Sequence, residues 1–235
     1  MARLLEAGET GFGILIERDA GYIGNDLNEK FVVNENFKVE LGKPIFVNSI
    51  LQKWGVKNQN GRIYPKDILV NQVNEYQKMI DNGSSPSEAD HPESSVISLL
   101  NISHLITKMW WGKGEKENIL FGQIRLIVTP GFIKYGIASV VGDKVLLYMQ
   151  NGLKLGISSR GVGTLKDVDG ENYVQDDFEL IGFDLVSTPS TPGAYLFPGV
   201  DIDDQGNIGE GYKKKNGVYV NENKKIIDAF DKFLL

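Results

Sequence analysis

Gly156-Ile157-Ser158-Ser159-Arg160-Gly161-Val162-Gly163 reads as a strand ending in a glycine turn, continuous with the short apolar run over 153–159. On a strand, adjacent side chains point to opposite faces, so one of the two serines looks into a cleft and the other away from it. The glycines at 156, 161 and 163 let another backbone or a substrate approach closely. Downstream, Asp167-Val168-Asp169-Gly170 reads as a hairpin turn. Residues 178–186 read as the next strand, stopped by Thr188-Pro189-Ser190-Thr191-Pro192.

Upstream the pattern is again mostly strand. Residues 119–128 form a strong candidate, and 96–111 alternate and end in Trp110-Trp111, with Gly-Lys-Gly-Glu as the turn between them. Gly13-Ile14-Leu15-Ile16-Glu17 and Pro44-Ile45-Phe46-Val47 are shorter runs of the same kind. Helical spacing enters at Ile68, Leu69, Val73, Tyr76 and Ile80, with Pro65 where a helix would begin. Residues 132–148 read as a second helix that Gly136 and Gly142 weaken. Beyond residue 199 the composition shifts to Asp, Gly, Asn and Lys, as in a linker. Ile226, Ile227, Phe230, Phe233 and Leu234 then fall on one face of a terminal amphipathic helix. The expectation is an α+β chain: a β-rich core with two or three helices, a flexible linker and a C-terminal amphipathic helix.

Composition removes whole classes of chemistry. A chain of 235 residues that is 41% hydrophobic has ample material for a core. With no cysteine there are no disulfides, thiolate nucleophiles or cysteine-ligated zinc. A net charge of −6 disfavours nonspecific binding of nucleic acid by the whole surface. No apolar run approaches the roughly 18 residues that span a bilayer, and the start acquires acid (Glu6) too early for a signal peptide. Phosphate-binding loops, the His-Glu-x-x-His zinc motif and the Gly-x-Ser-x-Gly elbow are missing.

Imidazole chemistry must use one of two histidines. His91 lies in a polar loop, Glu88-Ala89-Asp90-His91-Pro92-Glu93, either as a solvated or capping residue or as a general base. His104, in Asn101-Ile102-Ser103-His104-Leu105-Ile106, reads as a packed strand residue. A serine nucleophile needs a base, and the base needs a third group to orient it. Asp184, Asp90, Glu88 and Glu93 are the candidates for that third position. Asp184 interrupts the apolar run Ile181-Gly182-Phe183-Asp184-Leu185-Val186, either as the solvent face of a half-buried strand or as a functional carboxylate.

Four blocks in order resemble the prohead (head-maturation) serine proteases of tailed bacteriophages, T-even-type branch. They are Val56-Lys57-Asn58-Gln59-Asn60-Gly61-Arg62-Ile63-Tyr64-Pro65-Lys66, Asp90-His91-Pro92, Met109-Trp110-Trp111 and the glycine-bracketed run 156–163. The resemblance spans roughly residues 44–198 and implies a β-barrel core flanked by helices, as in the related herpesvirus assemblins. It implies residues 1–10 as an N-terminal pro-segment, 11–199 as the protease domain, 200–222 as the linker and 223–235 as the terminal helix. It implies His91 as base, Ser158 (or its neighbour Ser159) as nucleophile and Asp184 as third member. Related branches carry a glutamate where this chain has Gly182. The amides of Arg160 and Gly161 are expected to hold the oxyanion.

Selectivity implied by the resemblance is cleavage after glutamate in Leu/Ile-x-Glu followed by a small residue. That pattern occurs twice, at Leu4-Leu5-Glu6-Ala7 and Ile208-Gly209-Glu210-Gly211, which makes Glu6 and Glu210 candidate sites of self-cleavage. Arg160, Arg125 and Lys154 are candidates for reading the glutamate. Substrates would be scaffold, core and major capsid proteins inside the procapsid in the host cytoplasm. The enzyme would be a homo-oligomer without cofactor, metal, nucleic acid or membrane. Two other classes compete: a catalytically silent protease-like component of the scaffold, and a β-barrel binding module whose Trp110-Trp111 stacks on a ligand.

Overall fold

The structure is a computed structural model; it describes residues 11–16, 37–92, 94–207, 212–215 and 218–221. The expected terminal helix, Glu6, Glu93 and Glu210 lie outside these residues.

Strands β1 (Gly11–Ile16), β7 (Gly156–Val168), β8 (Glu171–Val174), β9 (Glu179–Val186) and the short β3 (Arg62–Ile63) make one sheet. The long β7 is its spine. It pairs antiparallel with β9 over Gly156↔Val186 to Val162↔Glu179, and with β1 on its other side over Arg160↔Ile16 to Leu165↔Gly11. A hairpin then returns β8 along its far end. Asp169 and Gly170 both adopt positive φ there (55° and 82°), the geometry of a two-residue turn matched to strand twist.

The second sheet runs β10 (Leu196–Phe197), β2 (Ile45–Lys53), β6 (Ile119–Leu126), β5 (Ile102–Trp111) and β4 (Pro86–Glu88). Two seams join it to the first. Ala89 bridges Leu185 of β9, with Asp90 N–H donating to the Leu185 carbonyl at 2.7 Å. Tyr195 bridges Gly156, and Ile157 N–H donates to the Ala194 carbonyl at 2.8 Å. One core fills the space between, built from Val47, Leu51, Ile106 and Ile124 against Ile157, Phe183 and Leu185.

Helix α1 (Lys66–Asp81) begins at Pro65 as the spacing predicts, burying Leu69, Val73 and Tyr76, and the Tyr76 ring meets Phe183 edge-on at 5.5 Å. The expected helix over 132–148 is two helices, α2 (Pro130–Tyr135) and α3 (Val141–Gln150). Gly136 ends α2 in the left-handed region at φ 68°. Buried Asp143 fastens the break, accepting hydrogen bonds from the amides of Thr129, Ser139 and Val140 and from the Thr129 hydroxyl. Burial pushes its carboxyl up, but these donors outweigh it and hold the carboxyl below its ordinary value. Among the described residues no helix is long and apolar enough to cross a membrane.

Three expectations shift. Strand β5 starts at Ile102, not near 96, and residues 94–101 form a loop with Leu99 and Leu100 more than four-fifths exposed. Packing continues past residue 199, because Val200 and Ile202 belong to the core. Within the expected linker, β11 (Tyr212–Lys215) and β12 (Val218–Asn221) pair as a hairpin.

Candidate active site

The register of β7 against β9 settles which serine looks where. Ser158 lies directly opposite Asp184, so their side chains share one face of the sheet. Arg160, two residues on, shares it as well. Ser159 stands opposite Phe183 and points to the other face, where its hydroxyl accepts from Gln52 Nε2 at 2.8 Å.

His91 reaches the Ser158 face by a local device. Ala89 and Asp90 are tied to Leu185, and Asp90 turns the chain with a positive φ of 66°, its own carboxylate accepting the His91 N–H at 3.1 Å. Aspartate tolerates that conformation better than most residues. The imidazole lands with Nδ1 2.9 Å from Asp184 Oδ2, and both side chains are buried. A carboxylate on Nδ1 fixes the tautomer with the proton on Nδ1, which leaves Nε2 as the basic nitrogen. Neither a solvated loop histidine nor the solvent face of a half-buried strand describes these two residues.

The other candidates for the third position fall away on geometry. Asp90 serves its own turn. Glu88 is fully buried and bonds Arg160 Nη2 at 2.5 Å. His104 is fully buried with Nδ1 2.8 Å from Ser103 Oγ and Nε2 2.8 Å from the Phe183 carbonyl. Burial holds its pKa down at about 4, so it is a neutral packing residue, as its strand context predicts.

Arg160 and Gly161, the expected source of the oxyanion amides, lie within β7. Both sit mid-ladder, Arg160 between Ile16 and Gly182 and Gly161 between Leu15 and Leu180. The pairing with β9 shifts register between the two, passing over Ile181. The amide aimed at Ser158 is that of Ser190, which donates to Oγ at 3.4 Å. Ser190 sits in a segment held by its carbonyl to Gln59 N–H (3.0 Å) and by Thr191 Oγ1 to Gln52 Oε1 (2.6 Å). The Val56–Lys66 block thus has a place beside the site, which sequence reading alone left without one.

The glycines of β7 make room for the protein itself. A Cβ at Gly156 would come within 2.5 Å of Pro189, and one at Gly161 would overlap Phe178. Nor does Arg160 read substrate: its guanidinium is fully buried, donating to Glu88, the Ser94 carbonyl at 2.8 Å and Asp184 Oδ1 at 3.2 Å, with Nε in ion-pair contact with Asp184 Oδ2 at 2.9 Å. Arg125 lines a separate cleft of about 330 Å³ beside Lys43 and Pro44. Lys154 lies over the Tyr195 ring, 3.8 Å from its centroid, just before β7. Trp110 is no free platform, since it stacks on Phe121 and donates to the Asp203 carbonyl at 2.9 Å. No cluster of three or more His, Asp or Glu capable of holding a metal occurs among the described residues. Sequence reading missed the Arg160–Glu88 pair and the Ser190 amide.

The chain is similar to known proteins of one family. The family model of the prohead core protein serine proteases matches residues 11–205. The prohead core protein protease of Enterobacteria phage T4 is 31% identical over 157 residues, covering 66% of this chain and 68% of that protein. The solved structure of the bacteriophage T4 capsid assembly protease is similar with a TM-score of 0.55 at 26% identity, over 77% of this chain and 98% of that one. A match that spans most of the chain means that the chain belongs to the prohead core protein serine protease family.

Proposed function

We propose that this chain is a serine endopeptidase that matures a phage procapsid by cutting scaffold, core and capsid proteins. One observation carries the reading: Asp184 is at once the register partner of Ser158 and the hydrogen-bond partner of His91. On this reading three residues from distant parts of the chain act as nucleophile, base and orienting carboxylate.

In this reading His91 Nε2 takes the Ser158 proton as Oγ attacks the peptide carbonyl. Asp184 holds the imidazole and offsets the charge it gains. The Ser190 N–H joins the amides near Arg160 and Gly161 as a donor to the developing oxyanion. His91 then protonates the leaving amine, and water, deprotonated in turn, hydrolyses the acyl-enzyme. Ser158 is fully covered in this structure, so the Ser190 segment must back away enough to admit a carbonyl oxygen between its amide and Oγ.

The finer features belong to the same proposal. The two seams support closure of the sheets into a barrel of the assemblin kind. Selection of Leu/Ile-x-Glu, self-cleavage after Glu6 and Glu210 with release of the terminal helix, and action inside the procapsid in the host cytoplasm follow from the family resemblance. Exposed Tyr135, Ile137 and Tyr148 on and near α2 and α3 support a homo-oligomer. Arg160 is withdrawn as reader of the glutamate, because its charge is already matched in the interior.

The test is co-expression with candidate scaffold and capsid proteins and mapping of new termini, with the Ser158→Ala protein as control. New termini after glutamate with the active chain alone support the proposal. Identical termini with both chains, or none, reject it in favour of a silent scaffold component.

A further inference from the structure

We propose that Glu88 is a positioning residue that sets the basicity of His91 by balancing Arg160. The inference deepens the protease reading and rests on it only for its kinetic arm.

The argument starts from charge in a dry site. Arg160, Glu88 and Asp184 are all fully buried and lie in one cluster. Arginine stays protonated, so a full positive charge sits 2.9 Å from the same Asp184 oxygen that holds His91 Nδ1. With Asp184 as its sole counter-ion, the guanidinium would neutralise it, and a neutral pair stabilises an imidazolium weakly. Glu88 changes this balance. Its Oε2 takes Arg160 Nη2 at 2.5 Å, leaving two carboxylates around one guanidinium and a single negative charge beside the imidazole. The Glu88 backbone N–H also donates to Asp184 Oδ1 at 3.1 Å, so one residue orients the carboxylate and balances its competitor. Oε1 accepts the Ser98 N–H at 3.1 Å, and Arg160 Nη1 donates to the Ser94 carbonyl, which pins the loop after His91 to the same cluster.

The other ionisable groups nearby leave this balance intact. From its own loop, Asp90 directs its carboxylate to the His91 backbone N–H. From β5, His104 is neutral, held between Ser103 and Phe183. From α1, the buried Tyr76 hydroxyl is held protonated, chiefly by desolvation.

The experiment is an NMR titration of the His91 ring in the full chain carrying Ser158→Ala, which needs no turnover. Glu88→Gln removes the extra negative charge and should lower the His91 midpoint by about one unit. Adding Arg160→Gln leaves Asp184 alone with the imidazole and should return the midpoint to within a few tenths of the starting value. Glu88→Asp keeps the charge and should move it by no more than that; if Glu88→Gln does not fold, Arg160→Gln alone decides the matter, because an unbalanced Glu88 should hold its midpoint about one unit above that of the double variant, and equal midpoints would overturn the assignment. An unmoved midpoint in folded Glu88→Gln protein, no return in the double variant, or a shift in Glu88→Asp as large as in Glu88→Gln would each overturn the assignment. With Ser158 restored, the acid limb of kcat/KM for Glu88→Gln should move to lower pH in parallel. A merely structural role would lower kcat without moving that limb. If the wild-type chain cleaves nothing, the protease reading fails while the titration still decides the role of Glu88.

Discussion

Ser158 and Ser159 are chemically identical neighbours on one strand, both buried, yet the two faces of β7 hold them in opposite kinds of surroundings. On the Ser158 face stand an imidazole, two carboxylates and a guanidinium, every one of them buried. On the Ser159 face stands a neutral set, with Gln52 bridging the hydroxyls of Ser159 and Thr191. A buried charged cluster is costly to assemble and is weak support for stability, whereas a satisfied neutral network stabilises modestly. The contrast teaches that one face is built for chemistry and the other for cohesion.

The sharpest way to break that contrast is to truncate each hydroxyl. Ser158→Ala and His91→Ala should each lower turnover by a factor on the order of 10⁶, the scale seen when a nucleophile or base is removed from a serine protease. Ser159→Ala should still process substrate. Full processing by Ser158→Ala and none by Ser159→Ala would reverse the assignment of the faces.

Next in size is Asp184→Asn. The amide keeps the shape but no longer fixes the tautomer with its proton on Nδ1. A loss of about 10⁴ in kcat is expected from the catalytic template, checked by steady-state cleavage of a scaffold-derived peptide. A loss below tenfold would place Asp184 among the structural groups and move the functional boundary off β9.

His104 sharpens the comparison from the other side, since it is an imidazole like His91 but is packed like Ser159. Its pKa falls from 6.5 to about 4 on burial, so between these values the unfolded chain binds a proton that the native chain does not. Its contribution is fully present above pH 6.5 and is lost as the pH falls towards 4, an acid-side loss of about 3 kcal/mol. Denaturant unfolding across that window should show the slope, and His104→Gln should flatten it.

Much of this was legible in the residues. The glycine-flanked apolar run located the start of β7 and Asp169-Gly170 its hairpin, although the strand continues through the expected glycine turn to Val168, and the Leu69, Val73 and Tyr76 spacing located α1. Asp184 stood out because a carboxylate inside an apolar strand demands a partner. What was illegible depends on contacts made far along the chain. Arg160 in a glycine-rich run looks like a surface or substrate-facing charge, and only Glu88, 72 residues away, shows it to be internal. Residues 96–100 carry the apolar content of a strand, yet Ser98 is committed to Glu88 and, among the described residues, no partner strand extends that far. The choice between two adjacent serines turns on register, which no single-strand pattern contains.

The smallest effect tests the cohesive face directly. Gln52 is buried, donating to Ser159 Oγ at 2.8 Å and accepting from Thr191 Oγ1 at 2.6 Å and the Lys53 amide at 2.9 Å. Gln52→Met keeps the length of the side chain and strands two buried hydroxyls, which should cost roughly 2 kcal/mol in denaturant unfolding. Ser159→Ala removes one hydroxyl and leaves one amide group short of a partner, for roughly 1 kcal/mol. Removing all three polar groups together (Gln52→Met, Ser159→Ala, Thr191→Val) should cost less than Gln52→Met alone, because the two hydroxyls that Gln52→Met strands are then gone. If the triple variant is instead the least stable, the polar atoms themselves hold this face together, and the neutral network outweighs the packing that would replace it.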